Sequence, residues 1–185
     1  MSLELIYGCM FSGKTSKLIE RYNELKDKYN CLAINYIFDK RYTNENKIVS
    51  HDKNEIDCIC IQDINELREN IDYSNKLDKA EFIFINEAQF FKDLRGWVLW
   101  AVIMLEKNVI LCGLDLDYKR ESFGDIMKLV INACNVHHMK GKCDRCANES
   151  LFTHRLVDND SQVLIGSREY IPVCENCWNL LNNKN

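Results

Sequence analysis

The sequence predicts an α/β fold, a parallel sheet covered by helices on both faces, with a small cysteine-rich unit appended. Three observations predict it. Short apolar runs alternate with helical stripes from residue 3 to residue 133. The first run leads into a glycine-bounded loop and then a helix. Beyond residue 140 the chain becomes short-segmented and carries its cysteines in pairs.

The elements follow in order. Leu3 to Tyr7 is a short apolar run ending at Gly8. Lys14 to Tyr29 reads as a helix with Leu18, Ile19, Tyr22 and Leu25 on one face. Cys31 to Ile37 is a second strand, and residues 39–55, polar and without a period, read as a loop. Ile56 to Ile61 reads as a strand and Ile64 to Ile71 as a short helix. Glu81 to Ile85 has the continuous apolar character of a buried parallel strand. Leu94, Val98, Ala101 and Leu105 form a helical stripe. Val109 to Leu114 is a further buried strand, and Ile126, Leu129, Val130 and Ala133 a last helix. The boundary is placed near Met139 to Gly141, dividing the chain into 1–140 and 141–185.

Composition narrows the classes. The chain has 185 residues, about one domain with a small appendage. Its 46% hydrophobic and 28% charged content excludes disorder as the main state. No apolar run approaches the roughly 20 residues that span a bilayer, so no membrane partner is expected. Met1 to Leu5 lacks the basic region and cleavage site of a secretory leader, and a cytoplasmic protein is expected. The net charge of −4 and isoelectric point near 5.6 argue against a nucleic-acid surface, which needs a basic stripe.

Gly8-Cys9-Met10-Phe11-Ser12-Gly13-Lys14-Thr15 matches G-x-x-x-x-G-K-[ST], between a strand and a helix as this motif requires. Backbone N–H groups of such a loop face phosphates, the lysine reaches the β- and γ-phosphates, and the Thr15 hydroxyl ligates Mg²⁺. A second strand end should then carry an acid. Phe82 to Ile85 runs into Asn86-Glu87-Ala88-Gln89-Phe90-Phe91, with Asn86 at the usual aspartate position. Glu87 can take a proton from an attacking hydroxyl, or it can cap a following helix.

Cys143-x-x-Cys146 and Cys174-x-x-Cys177 are two knuckles separated by 27 residues. Four thiolates at this spacing make a closed tetrahedral zinc site. The gap calls for an extra loop between the knuckles. Cys9, Cys31, Cys58, Cys60, Cys112 and Cys134 lie on apolar segments and read as buried thiols. His137 and His138 read as a strand end, since four thiolates complete the zinc shell. Asn75-Lys76-Leu77-Asp78 fits the guanine-reading N-K-x-D, but it precedes the acidic strand and reads as a solvated loop.

Together these residues resemble the type II, zinc-containing thymidine kinases. GCMFSGKT is similar to that family's G-P-M-F-S-G-K-[ST], with Cys9 at the usual proline. Asn86 to Phe91 is similar to D-E-[AG]-Q-F-F, and Leu114 to Gly124 to L-D-x-x-[FY]-x-x-x-x-F-G. Asp39 to Tyr42 and Ser50 to Lys53 resemble D-x-R and T-H-D-[RK]. Val163 to Gly166 and Tyr170 to Cys174 resemble the substrate lasso leading into the second knuckle.

The resemblance implies a RecA-like P-loop domain and a zinc ribbon whose inter-knuckle lasso closes over the nucleoside. It implies ATP-dependent 5′-phosphorylation of thymidine, with Glu87 as base and Lys14 and Arg41 on the phosphates. Gly8 to Thr15 with Asn86 to Gln89 would surround ATP, and Thr15 and Asp39 would serve Mg²⁺. Phe90, Tyr118 and Phe123 would form the base pocket, with Met10 and Leu114 nearby. Gln162, Val163, Leu164, Ile165 and Gly166 would meet the thymine edge through backbone groups, and Tyr170 the sugar; Phe91 reads as core. Structural Zn²⁺ on Cys143, Cys146, Cys174 and Cys177, a homotetramer and feedback by thymidine triphosphate belong to the same expectation. Two alternatives stay open here: a catalytically weakened nucleotide-binding relative, motivated by Asn86, and a zinc-ribbon nucleic-acid-binding ATPase.

Overall fold

The computed structural model describes residues 1–39 and 45–182. Its central strands are β1 (Ser2–Gly8), β2 (Cys31–Tyr36), β5 (Ile59–Ile61), β6 (Phe82–Ile85), β7 (Asn108–Gly113) and β8 (Asn135–Met139); β3 (Lys47–Val49) and β4 (Glu55–Asp57) form a separate hairpin. The six central strands make one sheet, parallel throughout, in the order β5-β2-β6-β7-β1-β8. The helices between them are α1 (Lys14–Leu25), α2 (Glu66–Glu69), α3 (Ile71–Lys79), α4 (Leu94–Ile103) and α5 (Ile126–Leu129). This is the parallel α/β layout the sequence predicts. The strand ending at Asn86 is one strand removed from the strand ending in the phosphate loop, with β7 between them.

The two faces follow from the period of two along each strand. Leu3, Leu5, Ile83, Ile85, Val109 and Leu111 pack against Leu67, Leu77, Trp97, Val98 and Ile126 of α2 to α5. Ile6, Ala33, Phe84 and Ile110 point the other way, onto Leu18 and Ile19 of α1 and onto Ile48 and Ile56 of the hairpin. Trp97 is fully buried and anchors α4. Among the described residues no helix is long and apolar enough to cross a membrane.

The remaining chain folds against the phosphate-loop end of the sheet. β9 (Gly141–Lys142) pairs with β10 (Glu149–Ser150), β11 (Phe152–Arg155) pairs with β12 (Tyr170–Val173), and α6 (Glu175–Asn182) follows. The Cys9 thiol lies 3.5 Å from the Ser150 hydroxyl, and the Met10 amide donates to the Thr153 hydroxyl at 3.0 Å. The cysteine-rich segment is thereby tied directly to the phosphate loop.

Several elements differ from the sequence reading. The first helix ends at Leu25, because the chain must turn to place Tyr29 on Phe82 and start β2 at Cys31. Residues 47–49 of the expected loop form a strand, and its partner, residues 55–57, straddles the end of that loop; each has a single buried isoleucine and is too short to show a period. The expected strand from Ile56 to Ile61 is therefore two strands: Ile56 packs under the hairpin while Ile59 and Ile61 join the opposite face. The helix expected at Ile64 to Ile71 breaks at Asn70, which is extended and caps α3 by accepting from the Asp72 and Tyr73 amides. Asn75 to Asp78 lies within α3, not in a loop, because Leu77 is buried in the core. The helix expected at 126–133 is one turn plus a 3₁₀ turn at Val130–Asn132. His137 and His138 lie inside β8, the edge strand. Of the thiols expected to be buried, Cys9 and Cys112 are; Cys31, Cys58 and Cys60 are half-buried and Cys134 is exposed, just ahead of the edge strand.

Candidate active site

β1 delivers the phosphate loop. Gly8 has φ +146°, and a Cβ there would stand 2.1 Å from the Met139 carbonyl oxygen, so only glycine lets β8 approach this closely. Gly13, at φ +83°, turns the chain into α1. The first turn of α1 has neither a side-chain cap nor an acidic residue, which leaves its N–H groups available to an anion. The Ser12 hydroxyl and the Lys14 ammonium both donate to the Cys9 carbonyl, at 2.8 and 2.6 Å, and shape the loop from inside. Gly13, Lys14, Thr15, Asp39 and His51 line a cleft of about 590 Å³, counted to its open mouth.

β6 delivers the second strand end. Asn86 is buried and its contacts define its orientation. Its amide donates to Asn35 Oδ1 at 2.9 Å, while its oxygen accepts from the Cys112 thiol at 3.0 Å and from the Thr15 hydroxyl at 3.4 Å. Glu87 follows in a left-handed conformation, φ +52°, unusual for a residue with a side chain. Its side chain makes no capping bond to the 3₁₀ turn Ala88–Phe90, so the capping alternative is set aside. Instead Gln89 Nε2 donates to Glu87 Oε2 at 2.7 Å, and Gln89 Oε1 accepts from the Leu114 amide at 3.0 Å. Gly113 and Gly124 make room for Gln89, since a Cβ at either would lie 2.3 Å or 2.5 Å from its atoms.

A second cleft, about 500 Å³, opens beside the first. Met10, Phe90, Leu114, Tyr118, Phe123, the run Gln162 to Gly166 and Tyr170 all line it. Phe90 stacks on Tyr36 at 4.8 Å between ring centres and meets Phe123 edge-on at 5.4 Å. Gln162 Nε2 donates to Asp117 at 2.9 Å, fastening its segment to the loop after β7. The Tyr170 hydroxyl donates to the Leu164 carbonyl at 2.8 Å. Burial raises the Tyr170 pKa, so this hydroxyl keeps its proton. Met10, Asp39, Glu87 and Leu114 line both clefts and therefore stand at their junction.

The sulfurs of Cys143, Cys146, Cys174 and Cys177 all lie within 4.8 Å of one another. Soft thiolates in this number suit a tetrahedral zinc ion. Burial disfavours the Cys143 thiolate, but backbone N–H groups outweigh it and bring the thiol down to about 6. Val173 and Trp178 pack around the cluster.

Lys14, Thr15 and Glu87 are brought together with Asp39, as the sequence expected of one site, while Arg41 lies outside the described residues. Ala88 and Phe91 are buried in the core, and Gly8, Cys9 and Ser12 do not line the phosphate cleft. Sequence reasoning missed Asn35, Asp117, Thr153 and Arg155, all buried polar residues. A polar residue in an otherwise apolar strand, as Asn35 is within Leu32 to Ile34 and Tyr36, was the available signal.

The thymidine kinase family profile matches residues 1–178. A thymidine kinase of Choristoneura fumiferana entomopoxvirus is 33% identical over all of both chains. That of Bacteroides thetaiotaomicron is 35% identical, covering 95% of this chain and 86% of the relative. Thymidine kinase 1 of Dictyostelium discoideum is 33% identical over 98% of this chain and 79% of its own.

Proposed function

This chain belongs to the thymidine kinase family, and from that premise we propose that it transfers the γ-phosphoryl group of ATP to the 5′-hydroxyl of thymidine. The observation that carries the proposal is the junction of the two clefts at Glu87. ATP phosphates occupy the phosphate-loop cleft, with Lys14 and Arg41 neutralising their charge. Thymidine occupies the apolar cleft, its base between Phe90, Tyr118 and Phe123 and against the backbone of Gln162 to Gly166. Tyr170 meets the sugar.

In this arrangement the 5′-hydroxyl faces both Glu87 and the γ-phosphorus. The Glu87 carboxylate accepts the hydroxyl proton as the oxygen attacks in line, and ADP leaves on the far side. Gln89, held by the Leu114 amide, orients that carboxylate. Oxygen donors suit a hard cation, so the Thr15 hydroxyl and the Asp39 carboxylate would hold magnesium, with Asn86 behind Thr15. Bound there, magnesium neutralises charge on the phosphate oxygens.

The proposal extends to organisation. Residues 1–140 form the nucleotide-binding domain and 141–185 the zinc-ribbon and lasso domain, with structural zinc on the four cysteines. The protein works as a cytoplasmic homotetramer subject to feedback by thymidine triphosphate, without a nucleic-acid or membrane partner. Exposed Ile103, Met104 and Ile131 offer apolar surface for such assembly. The test is ATP consumption in the presence of each deoxynucleoside in turn, with sizing in solution. Turnover with thymidine well above the others is expected; equal turnover without any nucleoside, or rate stimulation by DNA, would overturn the reading.

A further inference from the structure

We infer that Arg155 is a positioning residue that holds the lasso in its substrate-binding shape. The inference rests on the thymidine reading above. Arg155 is buried, 6% exposed, and among the described residues has no carboxylate partner. Four of its five N–H groups go to oxygen acceptors instead. Nη1 donates to the Asn159 and Ser161 carbonyls, both at 2.6 Å. Nη2 donates to the Gln162 carbonyl at 3.1 Å and to the Tyr170 hydroxyl at 2.7 Å. Nε is buried without an acceptor. The guanidinium carbon sits 3.6 Å from the centre of the Tyr118 ring.

A buried cation facing carbonyls and an aromatic ring fixes backbone, not an acid. Residues 156–169 contain no helix or strand; the Leu156 amide donates to the Glu169 carbonyl, and the Asn159, Ser161 and Gln162 carbonyls lie beyond any strand ladder. Arg155 supplies their partners where the lasso turns back toward the cleft. Gln162 is gripped twice, by Arg155 at its carbonyl and by Asp117 at its side chain. The residues that follow, Val163 to Gly166, form one wall of the cleft.

The position of Arg155 in the hairpin explains why the grip is rigid. Arg155 pairs with Tyr170 at the loop end of β11 and β12, where the lasso leaves and returns, and Phe152 pairs with Val173 at the other end, next to Cys174. The cysteine cluster thus anchors one end of the hairpin and Arg155 organises the other. The planar fork and the stacking on Tyr118 are specific to guanidinium. A lysine ammonium is a compact, strongly hydrated charge that cannot meet four acceptors in one plane.

The test compares wild type, Arg155→Lys and Arg155→Ala in the full-length zinc-loaded protein. Zinc content and far-ultraviolet circular dichroism establish that each variant is folded. Both variants are expected to raise the KM for thymidine about tenfold or more while nucleotide affinity in the absence of thymidine changes less than about twofold. Ethylguanidinium should lower the raised KM of Arg155→Ala and leave that of wild type unchanged. An unaltered thymidine KM in Arg155→Lys, or a parallel loss of nucleotide affinity in both variants, would overturn the inference. Absence of rescue in a folded Arg155→Ala would also count against it. Wild type that fails to phosphorylate thymidine would instead overturn the functional reading, a result separable from these.

Discussion

Replacing Asn86 by aspartate tests the magnesium site proposed beside Thr15. Asn86 Oδ1 lies 3.4 Å from the Thr15 hydroxyl and accepts from the Cys112 thiol, while its amide donates to Asn35. The substituted carboxylate would keep both acceptor roles. It would lose the donor, but Asn35 can turn its own amide group toward the new carboxylate and restore the bond. The added charge is the main change. Hydrogen bonds to a charged group contribute about 1–2 kcal/mol more than neutral ones, which corresponds to about a five- to thirtyfold lower magnesium midpoint. The same charge is costly when no cation is near, because the site is buried. A loss of about 1–2 kcal/mol would lower the magnesium-free Tm by about 2–8 °C for a chain of this size. Titrating magnesium against thymidine phosphorylation, with melting curves at zero and saturating magnesium, reads both effects. The maximal rates should converge at high magnesium. An unchanged midpoint together with an unchanged magnesium-free Tm would refute the reasoning, and would assign the metal's outer contacts to Asp39 alone.

Three further outcomes are expected. Glu87→Gln should lower kcat about 10²- to 10⁴-fold with ATP binding nearly intact, since the amide cannot accept the hydroxyl proton; single-turnover rates beside nucleotide calorimetry check this. Cys143→Ser should abolish stoichiometric zinc, read by elemental analysis at about one ion per wild-type chain, and weaken thymidine binding before ATP binding because the cluster anchors the β11–β12 hairpin. Gly113→Ala should cost about 1–3 kcal/mol of stability and lower kcat, because the new methyl would sit 2.3 Å from Gln89 Oε1 and 2.4 Å from Ile126 Cδ1. Denaturant melts and steady-state rates measure the two effects.

The fold class and most of the chemistry were legible because their signals are local. A glycine-bounded loop between a strand and a helix, paired cysteines and apolar runs keep their meaning wherever the chain goes next. The hairpin of β3 and β4 was not legible, because three-residue strands with one buried isoleucine each are shorter than any period. The break at Asn70 was hidden for a related reason: the cap is visible in the sequence only when one knows that a second helix follows.

By itself, the sequence determined the phosphate loop, the order of the chemical motifs along the chain and the two cysteine pairs, since each depends on residue type at fixed positions along the chain. Tertiary structure alone decided which polar groups meet across long separations. Asn35 reaches Asn86, Gln162 reaches Asp117, and Arg155 reaches three lasso carbonyls and Tyr118. Such pairs are selected by the requirement that buried polar groups find partners. That requirement acts in space, after the sheet order and the two clefts exist, and it leaves no periodic trace in the chain.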